Sequence, residues 1–172
     1  PQTLTRIGDY AFEFCEDMTS ITLPKSLTSL GYSVFQECRG LQEIAVDEEN
    51  PFYTSEDGIL YLRFQDQAVL VQYPASKPAD EFTVPDDIKE ITDYAFTPSL
   101  YLKKITIGPN VTKVIGGTFC ECTALQDFEI AEDNTVMSAV DGVLFDKDAT
   151  TLMQYPIGRA DEAYTVPEGT QH

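Results

Sequence analysis

Apolar residues along the chain follow two rhythms. At the ends of segments 18–23, 41–46, 102–107 and 125–130 they fall on every second position, which predicts short strands with one face turned inward. Phe82-Thr83-Val84-Pro85 and Tyr164-Thr165-Val166-Pro167 repeat the pattern of Ile21-Thr22-Leu23-Pro24, bringing the expected strands to six. The proline after such a strand ends its pairing and turns the chain. The second rhythm is helical: Phe12 and Cys15, Phe35 and Cys38, Phe96 and Ser99, and Phe119 and Cys122 are three residues apart. That spacing predicts one or two turns of helix or 3₁₀ helix between strands.

The rhythms recur. Held ungapped at an offset of 84, residues 4–58 match residues 88–142 at 17 of 55 positions, Ile7/Ile91, Phe35/Phe119, Cys38/Cys122 and Asp57-Gly58/Asp141-Gly142 among them. After a loss of two residues, Gln72-Tyr73-Pro74 matches Gln154-Tyr155-Pro156. The duplicated units are 4–87 and 88–169. Inside each unit a 23-residue period links Leu4, Ile7, Phe12, Cys15, Met18 and Ile21 to Leu27, Leu30, Phe35, Cys38, Leu41 and Ile44. A fixed period between 20 and 29 residues with this spacing is the signature of a leucine-rich-repeat solenoid.

The expected fold is thus one right-handed, β-rich α/β solenoid spanning 1–172. Parallel strands about 4.8 Å apart form its concave face and short helical segments its convex face. The long repeats, 47–87 and 131–169, exceed one coil and carry a β-hairpin each: 58–64 with 68–73, and 142–145 with 151–155. Both ends break in mid-pattern, so a longer array is expected.

The template Ile7-Gly8-…-Ala11-Phe12-…-Cys15 followed by Ile21-Thr22-Leu23-Pro24 resembles the BspA-like leucine-rich repeats of bacterial surface proteins. The segments beginning Asp57-Gly58-Ile59-Leu60-Tyr61 and Asp141-Gly142-Val143-Leu144-Phe145 fit the same family. Thr92 replaces the glycine and Ser99 the cysteine of the third short repeat. The resemblance implies a cell-surface or secreted module that attaches to a protein ligand, such as a host matrix or cell-surface protein, with glycan as a second partner class. It brings no ligand residues with it.

Charge narrows the partners. Asp and Glu number 29 against 11 Lys and Arg, a net charge of −18, which repels phosphate backbones and anionic lipid. No window nears 18 consecutive apolar residues, so no membrane insertion is expected in this segment. The one histidine is His172, which leaves no Ser–His–Asp or Cys–His arrangement, and no phosphate-binding glycine motif occurs. The expectation is a non-catalytic protein without cofactor or metal.

Cys15, Cys38 and Cys122 share one repeat position and are expected to be packing thiols; a Cys15–Cys38 disulfide and a thiolate site at Cys120 and Cys122 are the weaker readings. Phe12, Phe35, Phe96 and Phe119 are expected as an inward spine. The acidic clusters 47–50, 86–87, 132–134 and 161–162 read as a solvated face, although Glu48/Glu132 and Asn50/Asn134 recur and keep calcium in view. Asn110-Val111-Thr112 is a formal glycosylation sequon read as a coil turn.

Two surfaces are candidate ligand sites. Outward strand positions Thr22, Glu43, Thr83, Lys104, Thr106 and Glu129 would line the concave sheet. Tyr53, Tyr61, Phe64 and Phe145 of the hairpins would offer exposed aromatic anchors.

Overall fold

The computed structural model describes residues 3–172 as a β-solenoid of about five turns. One ladder is built from the alternating segments: β2 (Ser20–Leu23) pairs in parallel with β4 (Glu43–Val46), and β8 (Glu81–Thr83), β10 (Lys104–Ile107) and β12 (Asp127–Ile130) form a second group. Register follows the 23-residue period, Ile21 opposite Ile44 and Ile105 opposite Phe128. A second ladder holds two-residue strands: β1 (Arg6–Ile7) beside β3 (Ser29–Leu30), and β9 (Glu90–Ile91) beside β11 (Lys113–Val114). Alternation puts Ile44, Ile105, Ile107 and Phe128 in the core and leaves the residues between them toward solvent.

Three expectations are corrected. No helix forms among the described residues. Each predicted helical turn contains residues in the left-handed region: Tyr10, Ser33, Tyr94 and Gly117 in one repeat slot, and Phe14, Glu37 and Glu121 four residues on. A left-handed residue at every corner breaks the right-handed run that an i to i−4 ladder needs. The corners hydrogen-bond from coil to coil instead, Tyr10 N to Tyr32 O, Phe12 N to Val34 O and Phe14 N to Gln36 O. The fold is therefore β throughout its regular elements.

The expected six strands are five, in two groups. Residues 163–165 form no strand, and β4 does not meet β8. The edge of β4 is taken by the Asp57–Gly58 turn, whose Gly58 carbonyl accepts from Ile44 N at 2.9 Å.

That turn reflects the third correction. Each insertion is a three-stranded antiparallel meander rather than a single hairpin: β5 (Tyr53–Glu56), β6 (Ile59–Phe64) and β7 (Gln67–Gln72), then β13 (Met137–Val140), β14 (Val143–Asp146) and β15 (Leu152–Gln154). The missed connection is a two-residue Asp-Gly turn with both residues at positive φ, 50° and 75° in the first copy and 49° and 74° in the second. The last strand, β7, also serves its coil, pairing in parallel with β9 through Leu70 and Ile91.

The core has an aromatic spine and a polar staple. Phe12 stacks on Phe35 at 5.7 Å, while Tyr73, Phe96 and Phe119 continue at 5.3 and 5.4 Å. Phe96 is wholly buried, and burying such a ring contributes about 2–3 kcal/mol. Where the chain leaves β12, Asn134 is fully buried; its amide donates to Gly108 O and Val111 O, and its oxygen accepts from Val136 N and Met137 N. Asn50 makes the same four bonds, to Pro24 O, Leu27 O, Phe52 N and Tyr53 N. The recurring asparagines are staples between coils, which removes the case for calcium at that position.

Candidate recognition surfaces

The strand residues singled out from alternation lie on the solvent side of the first ladder, in two groups. Thr22 faces Ala45 across β2 and β4, while Thr83, Thr106 and Glu129 are in register across β8, β10 and β12. The neighbouring row reads Glu81, Lys104 and Asp127, with Glu43 on β4. Lys104 Nζ lies 2.6 Å from Glu129. That bond and the Coulombic pull of the same carboxylate raise the Lys104 pKa and lower that of Glu129. The surface is small, threonine-rich and acidic, with its single lysine already paired to a neighbour. It is not continuous: the Asp57–Gly58 turn stands between β4 and the three-stranded group, so Thr22 and Glu43 lie on one patch and Thr83, Lys104, Thr106 and Glu129 on another.

The hairpin aromatics are corrected. Tyr61 and Phe145 are 1% and 0% exposed and Tyr53 is 7%. Burial raises the Tyr61 pKa strongly, and its ring carries the Arg63 guanidinium at 4.5 Å. The meanders pack flat over the core, so one side of each strand is interior; only Phe64, at 37%, keeps an exposed ring, and it leans on Phe52 at 4.7 Å. The strongly exposed aromatics are ones the sequence reading passed over: Tyr32 at 78%, Phe14 at 63%, and Tyr10 and Tyr101 at 51%. Their signal was present, since each sits at a corner beside, not in, an inward slot.

The other clusters resolve into structure. All four cysteines are free thiols. Cys38 Sγ donates to Phe12 O and Cys122 Sγ to Phe96 O, while Ser99, in the same slot, also donates to Phe96 O. Burial pushes the Cys38 thiol up to about 11 and the Cys122 thiol up to about 12. No group of three or more His, Cys, Asp or Glu side chains among the described residues is placed to hold a metal ion. Asn110 donates to Asp86 O at the coil turn. A cavity the sequence reading did not reach opens on the second ladder, between β3 and β9. Its signal is a change in corner length.

Comparison with known proteins fits this geometry. A family model described as a BspA type leucine rich repeat region matches six copies over residues 1–57 and 75–142. The chain belongs to that family. The BspA-type matches skip residues 58–74, which hold all of β6 and β7, and stop where the second meander makes its Asp-Gly turn. Among solved structures, a leucine-rich cell surface protein of Faecalibacterium prausnitzii is similar at TM-score 0.72 and 28% identity, over 78% of this chain and 35% of that one. The pneumococcal vaccine antigen PcpA matches at 0.70 and 28%, over 76% of this chain and 32% of its own. A leucine-rich repeat protein of Eubacterium ventriosum matches at 0.59 and 27%, over 73% and 39%. The chain thus spans about a third of the length of these neighbours. No curated protein matches closely enough to add to them.

Proposed function

We propose that this chain is a non-catalytic recognition module displayed at a bacterial cell surface, which binds a protein ligand across the outer face of β8, β10 and β12. One observation carries the reading: Thr83, Thr106 and Glu129, with Glu81, Lys104 and Asp127, form two in-register rows of side chains on an open sheet face. Short side chains on a flat parallel ladder let a partner approach the backbone closely, and the repeat scaffold holds them in fixed spacing. The family and its cell-surface neighbours support the location. Burial of Tyr53, Tyr61 and Phe145 removes those hairpin rings as an anchor for protein and sugar alike.

The test is a panel of host matrix and cell-surface proteins, with glycans beside them, probed with the soluble chain and with Thr106→Arg. Saturable capture of a protein that falls at least about tenfold with Thr106→Arg, about 1.4 kcal/mol, is the expected result. Capture indifferent to Thr106→Arg moves the site off this face. Silence across the panel from folded protein favours a structural stalk that displays other domains.

A further inference from the structure

The cavity on the second ladder follows from a shortened corner. In four coils the inward aliphatic residue and the spine aromatic are five residues apart: Ile7 and Phe12, Leu30 and Phe35, Ile91 and Phe96, Val114 and Phe119. In the long coil Leu70 pairs with Ile91 and Tyr73 stacks on Phe96, so the same corner is crossed in three residues. The two omitted positions are those that carry Asp9-Tyr10 in the first coil and Asp93-Tyr94 in the fourth. The neighbouring coils keep their full corners and overhang the short one.

What remains is a notch of about 550 Å³, within the range of ligand clefts. Leu62, Val69 and Val71 of the first meander supply apolar lining, the two valines flanking the buried Leu70. Tyr10, Tyr32 and Tyr94 line it from the corners. Its charged lining is Asp9, Glu90 and Asp93 against Arg6. Glu90 is paired with Lys113, and one Asp9 oxygen accepts from Tyr32 N, whereas Asp93 makes no ion pair among the described residues.

We propose that this notch seats a basic segment of a protein partner, an arginine or lysine whose aliphatic stem lies along Leu62, Val69 and Val71 and whose cationic head meets the tyrosines and Asp93. The proposal rests on the recognition reading above but places a second contact on a different face and gives it a chemistry. Tyrosine faces attract a cation, long basic side chains cover apolar surface while keeping the charge at its edge, and a net charge of −18 draws such a partner in. The chain holds its own arginines in the same way. Arg63 lies over Tyr61 between Glu56 and Asp87, and Arg159 lies over Tyr155 beside Asp161. The notch sets tyrosines and a carboxylate together in the same way, Tyr32 and Tyr94 beside Asp93, with Arg6 in its lining.

The probe is a fluorescein-labelled, amidated peptide Gly-Arg-Leu-Arg-Leu-Gly, titrated with the whole chain in moderate salt and followed by anisotropy. A twin peptide carries neutral citrulline for each arginine. Saturable binding is expected for the arginine peptide, weakened about fivefold or more by Tyr32→Ala and by Asp93→Asn, and lost with citrulline. Amide shifts on binding are expected to centre on Gly31, Tyr32, Asp93 and Tyr94. Asp93→Asn removes one of 29 acids, so a fivefold loss does not come from overall charge. Tyr32 is 78% exposed and its removal leaves the core intact. Absent binding, or binding that both variants leave unchanged, overturns the proposal. Thr106→Arg separates the two readings: it should spare the peptide, and a failed peptide titration leaves capture on the sheet face to be judged by that variant alone.

Discussion

Asn134 joins two successive coils with one side chain, donating to two carbonyls of the preceding coil and accepting from two amides of its own. Replacing it by alanine leaves buried backbone groups unmatched. At about 1 kcal/mol for each of the four lost bonds, Asn134→Ala should lower stability by roughly 4 kcal/mol in urea unfolding. The recurrence of this residue was visible in the sequence, but beside Glu132 and Asp133 it reads as part of a solvated acidic face with calcium only kept in view, because sequence alone does not show which way an amide points. The thiols were read more fully, since three of them shared an inward slot. Their raised pKa values keep them protonated in the fold, with the window of ionisation moved from near 9 to about 11 and 12. At pH 8, thiol labelling followed by peptide mass analysis should mark the exposed Cys120 at once, and Cys38 and Cys122 only after unfolding. Because ionisation opposes burial, what these two thiols contribute to stability is present below pH 9 and lost as pH rises through their folded values.

Among the elements, the strands were legible and the corners were not. Alternation at 18–23, 41–46, 102–107 and 125–130 gave β2, β4, β10 and β12, because one face of each is core and the other solvent. At the corners the Phe-x-x-Cys spacing imitates a helical face, yet Tyr10, Ser33 and Tyr94 adopt positive φ to let the chain bend sharply, a choice that residue type does not announce. The Asp-Gly pairs did announce a turn, but their strands were sought downstream, where the apolar runs are longer. These turns are tightly seated. A Cβ on Gly142 would lie 2.1 Å from an Asp127 carboxylate oxygen, and Arg159 donates to Asp141 O beside it, as Lys77 does to Asp57 O in the first copy. Gly142→Ala adds that collision to a φ of 74° and should lower the thermal midpoint by several degrees, for a cost of about 1–3 kcal/mol. Gly142→Asn, which tolerates the left-handed backbone and meets only the movable end of the Asp127 side chain, should fall by less.

At the scale of the molecule, acids outnumber bases by 29 to 11. Most bases are spent on a carboxylate, often one coil away, as in Lys25–Glu49, Lys103–Asp80, Lys104–Glu129 and Lys113–Glu90. Exposed pairs of this kind contribute little each, roughly 0–1 kcal/mol. The unpaired excess repels along the whole stack, and salt screens it beyond about 8 Å. Raising sodium chloride from about 10 mM to physiological strength should therefore raise the thermal midpoint, although the pairs themselves weaken. The solenoid and its duplication were plain in the sequence because repetition averages away local ambiguity. The notch was not, because it arises from two residues that are missing from one corner rather than from any residue present.

The first meander also divides the interior. Ile59 packs with the core that runs on to Leu144, while Leu60, its neighbour, packs with the core of the first two coils. The ladders are interrupted at the same place, since the Asp57–Gly58 turn covers the edge that β4 would offer to β8. Under tension this is a mechanical joint. A load applied between residues 3 and 172 should part the stack in two steps, two coils yielding separately from the rest. Single-molecule pulling should record two extensions of unequal length, and a variant crosslinked across the meander, from β4 to β8, should merge them into one.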